Sequence, residues 1–334
     1  MTRISRRHFV NGGIAAAAVI TRPAHAAEHS LKFGCEPNAD HPLVIRMIEA
    51  AQKIKNASGG RVEIQVFPSS QLGGSADMLN QVRSGALDMY GIGGVQLGGL
   101  VPVAQISSLG FAFPDYKSVW AAMDGDLGVH IEKEIAKSKI ISFRRVWDLG
   151  YRQITSRDKP ILSPEDLHNF KIRVPASPMW TSMFKLLNAS PITINFVELY
   201  SALQTKIADG QENPIALIES ARLQEVQKFC SMTNHCWGGY HMILNPGNFK
   251  QLPAKDQELI EATITESALV QREDVLKANQ ELKSRLEGQG MTFVTPDPAP
   301  FRRNLIKAGF YSEWRKRFGE EAWGLLEKYS GPLG

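Results

Sequence analysis

Leu31-Lys-Phe-Gly-Cys35, Arg61-Val-Glu-Ile-Gln-Val-Phe67 and Leu87-Asp-Met-Tyr-Gly-Ile92 are three short runs of strand character, and what separates them decides the fold. Between the first two, Val44, Ile45, Ile48, Ala51 and Ile54 recur near a 3.6-residue period. That spacing predicts a helix over 43–58, which Gly59-Gly60 ends. The middle run alternates Val62, Ile64 and Val66, the two-residue period of a half-buried strand. A loop over 68–74 leads to a second helix over 76–84 and then to the third run. This succession of strand and helix predicts an α/β domain with a largely parallel sheet, whose ligands sit at the carboxyl ends of the strands.

Outward from this core the pattern continues less regularly. Residues 91–114 are rich in glycine and apolar residues without a period, and read as a buried element closed by a turn at Phe113-Pro-Asp115. Helices are predicted over 116–122 and 128–136, with strands over 140–147 and 151–155. Ser163 followed by Pro164 reads as the cap of a short helix. A strand is expected over 171–174, a helix over 179–188, a strand over 192–196 and a helix over 198–208. Ala208-Asp-Gly-Gln-Glu-Asn-Pro214 reads as a loop, since glycine and proline punctuate it. A strand over 239–244 precedes a nearly continuous helical pattern over 253–287. Its length suits a brace across two lobes. Two shorter helices, over 302–318 and 320–328, end the chain.

The amino terminus bears on location rather than fold. Arg6 and Arg7 precede the apolar run from Gly12 to Ile20 and then Pro23-Ala-His-Ala26, the three parts of an export signal. Ser5-Arg6-Arg7-His-Phe9 resembles the twin-arginine signal, and export machinery of that type is the expected partner of residues 1–26. The whole chain holds 38 basic and 34 acidic residues; Arg3, Arg6, Arg7 and Arg22 lie in the signal, so the mature chain holds 34 of each. No basic stripe with interleaved aromatics remains, which argues against nucleic acid as a partner. Cys35 is expected to be a small buried hydrophobe. Cys230 and Cys236 are close enough in sequence for a disulfide, but nothing in the sequence fixes their approach. His235 has no partner at metal-ligand spacing along the chain.

No catalytic motif is present. No Gly-x-Ser-x-Gly elbow and no HExxH occurs, and Gly91-Ile-Gly-Gly94 is not a dinucleotide fingerprint. Asp88, Asp148 and Asp209 each read as a cap or loop residue, and no cofactor is expected. What stands out instead is Phe170-Lys-Ile-Arg-Val-Pro175, where Arg173 points opposite to Ile172 and Val174 at the end of a strand. An arginine fixed there suits a bidentate grip on a carboxylate; periodicity alone fits a solvated strand arginine equally. Arg152, in Tyr151-Arg-Gln-Ile-Thr155, carries the same two readings. Asn213 either holds a ligand oxygen or stabilises its turn.

Leu31-Lys-Phe-Gly34, Phe67-Pro-Ser-Ser-Gln-Leu-Gly73, Arg83-Ser-Gly-Ala-Leu-Asp88, Leu167-His-Asn-Phe-Lys-Ile-Arg-Val-Pro175, Asp209-Gly-Gln-Glu-Asn-Pro214 and Met232-Thr-Asn-His235 together carry a resemblance. In this order they resemble the periplasmic solute-binding component of tripartite ATP-independent periplasmic (TRAP) transporters, the DctP-type family. The resemblance implies two α/β lobes that close on an organic acid, braced by the long helix. It implies that Arg173 grips the carboxylate, that Arg152 lies near it, that Asn213 positions the pair and that Phe196 walls the cleft. It places chain crossings near Gly150 and Trp237, so that 27–150 with about 239–278 form one lobe and 151–238 with about 279–334 the other. It implies an integral-membrane permease as partner; the charge balance and cleavage pattern, which both change at Ala27, predict a soluble, signal-cleaved periplasmic monomer. Sialate-binding relatives have asparagine where this chain has Glu36, a group that would repel a second acid and accept hydrogen bonds from hydroxyls. Trp147, Trp180 and Trp237 offer flat walls of the kind sugar rings pack on. These departures favour a sugar acid, an aldonate or uronate, over a C4-dicarboxylate. A periplasmic enzyme and a sensory binding module are the readings from other classes.

Overall fold

A computed structural model describes residues 27–334; the export signal expected over residues 1–26 lies outside the described residues. Twelve strands are described: β1 (His29–Cys35), β2 (Val62–Phe67), β3 (Met89–Gly93), β4 (Ile141–Ser142), β5 (Trp147–Tyr151), β6 (Gln153–Ser156), β7 (Lys171–Val174), β8 (Ser190–Thr193), β9 (Gly210–Asn213), β10 (Phe229–Ser231), β11 (Trp237–Leu244) and β12 (Thr292–Val294). They form two six-stranded sheets. The first has the order β2-β1-β3-β11-β4, with β5 also pairing β11; the second has the order β12-β10-β6-β9-β7-β8.

The strand–helix succession at the start of the chain folds as its pattern predicts, with helices Pro42–Ala57 and Ser75–Ser84 between parallel strands. Leu43, Val44, Met47, Ala50, Ala51 and Ile54 bury one stripe of the first helix. Ile45 and Ile48, counted in the apolar pattern, are instead exposed. The sheet is less parallel than expected, because β11 returns from the second lobe and runs antiparallel to β3, β4 and β5.

Gly210-Gln-Glu-Asn213 is not a loop. It is β9, fully buried, with β6 antiparallel on one side and β7 parallel on the other. Apolar alternation is absent there because the strand's side chains bond to one another rather than to a hydrocarbon core. Gly210 is required by crowding: a Cβ would stand 2.1 Å from the Thr155 carbonyl oxygen and 2.5 Å from the Phe170 ring. The single helix expected over 302–318 is two, Pro298–Lys307 and Phe310–Phe318, broken at Gly309 where φ is 76°. All three cysteines are buried and free, so Cys230 and Cys236 are not paired.

The chain passes between the sheets three times, twice along one line and a third time through the long helical segment that separates β11 from β12. Only Arg152 separates β5 in the first sheet from β6 in the second. The return runs from β10 to β11, and the two crossings are tied together. The Arg152 amide donates to the Cys236 carbonyl at 2.9 Å. The Gln153 and Asn234 segments exchange bonds of 2.6 and 3.0 Å.

Helix Ala254–Gly288, 35 residues long, packs on helix Pro42–Ala57 and β5 of the first lobe, and on helix Ile215–Ser220 and β12 of the second. Polar anchors fix it. Gln271 accepts from the Asp148 amide at 2.8 Å and donates to its carbonyl at 2.7 Å. Arg272 bonds both oxygens of Asp124 and lies 3.8 Å from the Trp120 ring centroid. At the end of the chain, helix Phe310–Phe318 packs on helix Pro178–Leu186, and helix Glu320–Ser330 on helices Tyr116–Asp124 and Asp126–Lys137.

Candidate functional site

The two sheets present the carboxyl ends of several strands to one cleft, the position at which α/β proteins hold ligands. Glu36 follows β1, Gly93 ends β3, Phe196 follows β8, Arg173 is next to last in β7 and Asn213 is last in β9. Adjacent pairing of β6, β9 and β7 then draws Arg152, Asn213 and Arg173 together. Glu36, Arg152, Arg173, Phe196 and Asn213 line one inner chamber with about 30 Å³ of free space. The chamber shares Glu36, Gln96, Arg173, Pro175 and Phe196 with a wider cleft of about 870 Å³.

Trp237, also expected at the site, stands behind this lining. Its indole is 2% exposed, packs edge-on against Trp120 and donates to Asp148 Oδ1 at 2.8 Å. Trp147 is wholly buried as well; of the three tryptophans considered as walls, Trp180 is the one that lines the chamber.

The two arginines have different surroundings. Arg152 is held by a bidentate pair with Glu212 through Nε and Nη2. Its Nη2 also donates to the Glu212 carbonyl and to Asn213 Oδ1, both at 2.7 Å. The Trp180 ring covers the guanidinium at 4.5 Å. Burial opposes the Arg152 cation, but the Glu212 carboxylate outweighs it and holds the pKa above the ordinary value. Burial likewise opposes the Glu212 anion, and Arg152 and His235 together hold its pKa below the ordinary range.

Arg173 is 2% exposed, and among the described residues its side chain makes one hydrogen bond, from Nε to the Ile194 carbonyl at 2.8 Å. Its terminal nitrogens make no hydrogen bond among the described residues, and the residue lines both the chamber and the outer cleft. Burial is the main influence on it and pushes its pKa down to about 10, so it stays cationic at neutral pH; Glu212 and Glu36 favour the cation while Arg152 disfavours it. Glu36, 8% exposed, accepts from Gln96 Nε2 at 3.2 Å. Burial raises its pKa, against the pull of Arg173, Gln96 and Arg152. The arrangement is therefore one cation already neutralised by a protein carboxylate and a second, buried cation with donors to spare. A buried guanidinium with free donors calls for a planar anion.

Several residues of the site were not found from the sequence. Glu212 and His235 were hidden, one in a presumed loop and the other without neighbours in sequence. Here His235 Nε2 meets Glu212 Oε2 at 3.3 Å and Nδ1 meets Thr233 Oγ1 at 2.8 Å. Asn213 Nδ2 donates to Gln211 Oε1 at 2.5 Å, and Gln211 Nε2 to Thr155 Oγ1 at 2.9 Å. The strand is thus stitched by its own polar side chains. Glu212, His235 and Cys236 place donor atoms within 4.8 Å of one another. Arg152 bonds both Glu212 oxygens, so the Glu212 charge is already compensated and the cluster is part of a buried ion-pair network. Gly93, Gly94, Gly238 and Gly239 also line the chamber; a Cβ on Gly94 would stand 2.7 Å from the Ala104 carbonyl oxygen.

The sequence model of DctP, bacterial extracellular solute-binding protein, family 7, matches residues 33–310. The chain belongs to this family. Similar to it is the 2,3-diketo-L-gulonate-binding periplasmic protein YiaO of Escherichia coli, 30% identical over 84% of this chain and 85% of that protein. A TRAP periplasmic solute-binding protein from a Polaromonas species, bound to D-erythronate, superposes with a TM-score of 0.85 at 29% identity, covering 90% of this chain and 98% of the other. One from Sulfurospirillum deleyianum, with bound succinate, superposes with a TM-score of 0.85 at 26% identity over 91% and 99%. Like other DctP-family members, the chain is a periplasmic solute-binding protein of TRAP type, with a binding rather than a catalytic role.

Proposed function

We propose that this protein captures a hydroxylated monocarboxylate, by preference an aldonate or uronate, and delivers it to an integral-membrane TRAP permease. The observation that carries the reading is the buried Arg173 guanidinium, which lines the chamber and whose terminal nitrogens make no hydrogen bond among the described residues. In this mechanism Arg173 grips the carboxylate by a bidentate pair. Arg152, neutralised by Glu212, lies beside that grip, and Asn213 fixes its orientation. Glu36 and Gln96, opposite, accept from and donate to hydroxyls near the acid group, and Phe196 closes one wall. The division into 27–150 with about 239–278 and 151–238 with about 279–334 gives two bodies that close by bending at the paired crossings near Gly150 and Trp237. Export of the mature chain by the twin-arginine route, directed by residues 1–26 as a cleaved signal, and action as a monomer complete the reading.

A C4-dicarboxylate is the second reading, favoured by the relative with bound succinate. It needs a cation for the second carboxylate, and Arg152 is already paired with Glu212. A thermal-shift panel tests the choice, since a ligand of the folded state raises its melting temperature by mass action. D-Glucuronate, D-galacturonate, D-erythronate or L-galactonate should raise it, and succinate and malate should raise it less. Strong stabilisation by succinate with none by the sugar acids would replace the preferred substrate.

A further inference from the structure

The outer cleft is lined by Arg83, from helix Ser75–Ser84 of the first lobe, and by Lys185, from helix Pro178–Leu186 of the second. Both are exposed, and neither has an ion-pair or side-chain hydrogen-bond partner among the described residues. Glu36 is the one acid in that lining, and it lies at the inner end beside Arg173. Just outside, Glu313, which reaches Ser182 at 3.4 Å, is paired with Arg317 at 2.8 Å, while Asp77, beside Ala76, accepts from the Gly74 amide at 3.1 Å and keeps its negative charge. Residues 27–334 carry 34 basic and 34 acidic side chains, so no net charge draws an anion from a distance. Any attraction has to be local.

We propose that Arg83 and Lys185 form an electrostatic funnel, one cation on each lobe, that steers anionic solutes into the cleft and speeds their capture. Low-dielectric walls lined by one sign of charge concentrate the field and raise association rates, an effect that salt removes. The inference rests on the reading that the solute is an anion, and it adds a division of labour. Arg173 governs dissociation of the bound acid, while Arg83 and Lys185 govern its arrival.

The test need not depend on a known solute. Ala76 is exposed and lines the same cleft, while Cys35, Cys230 and Cys236 are buried at 0, 0 and 2% exposure, so a cysteine placed at Ala76 is the one readily modified thiol. The probes are the anionic sulfonatoethyl and the cationic trimethylammonioethyl methanethiosulfonates. The ratio of their reaction rates with Ala76→Cys reports the local potential. In the Ala76→Cys background, Arg83→Gln with Lys185→Gln should lower the anionic-to-cationic ratio by roughly threefold to tenfold at low salt, and by little at high salt. Each single substitution should produce part of the change. An unchanged ratio in the double variant, with native circular dichroism, overturns the funnel. In stopped-flow titration with D-glucuronate the double variant should associate more slowly and dissociate at the wild-type rate; a change confined to dissociation also overturns it. If none of D-glucuronate, D-galacturonate, D-erythronate and L-galactonate binds the parent protein while the reagent ratio shifts, the sugar-acid reading fails and the funnel stands.

Discussion

Removing the Glu212 carboxylate would leave the Arg152 guanidinium buried without its bidentate partner. Breaking a buried pair from one side costs about 3–5 kcal/mol, because the surviving charge is uncompensated. Glu212→Gln should therefore lower stability by that order in urea denaturation. Arg173→Ala removes a cation that makes one hydrogen bond to protein, and should leave the urea midpoint near wild type. Asp148 gives a pH-dependent prediction. Among the described residues its Oδ2 has no hydrogen-bond partner, and burial pushes its pKa up from 3.8 to about 7. The folded state holds that proton across the window where the unfolded chain has lost it, so folding stability from this group declines as pH rises from about 4 to about 7 and is level above. Asp148→Asn keeps an acceptor for Trp237 Nε1 and cannot ionise. Thermal melts should show its advantage over wild type widening across that window; a constant difference would place the titration elsewhere. Arg173 was legible to the extent that alternation sets a face. Periodicity does not reveal that the face is buried, which depends on β8 and β9 flanking β7.

Among the elements, strand and helix were legible where apolar residues repeat, as in β1, β2 and helix Pro42–Ala57. They were illegible where polar contacts do the packing. Gly210–Asn213 carries turn-type residues, yet glutamine, glutamate and asparagine side chains find buried partners on β6 and on the crossing to β11. Short strands such as β10 and β12 pair far along the chain, and three residues give no period to detect. The long helix was legible by its length, its anchors less so. Gln271→Ala would strip partners from both the Asp148 amide and its carbonyl, which are buried. At about 1–3 kcal/mol for each unsatisfied buried group, a loss of about 2–6 kcal/mol is expected in urea denaturation, with the helix retained by circular dichroism. A loss below about 0.5 kcal/mol would mean that apolar packing alone fixes the brace.

At the scale of the molecule, the two sheets meet along crossings that hydrogen-bond to each other, and Arg152 lies in one of them. In the proposed mechanism a residue that supports the site is also part of the line about which the lobes would bend, so capture and closure would share the same groups. Only the resemblance to a known family made that architecture legible in advance; spacing alone gave the first lobe's opening segment and the brace. The central claim is that Arg173 holds the solute's carboxylate. It is tested most directly by calorimetric titration of the mature wild type, Arg173→Lys and Arg173→Ala with the sugar acid that gives the largest thermal shift. Truncating one side of a desolvated ion pair costs roughly 2–5 kcal/mol, so Arg173→Ala should bind about thirtyfold to several thousandfold more weakly. Arg173→Lys should also bind more weakly than wild type, because a point charge cannot reproduce the planar fork. Wild-type affinity in a folded Arg173→Ala protein would contradict the account.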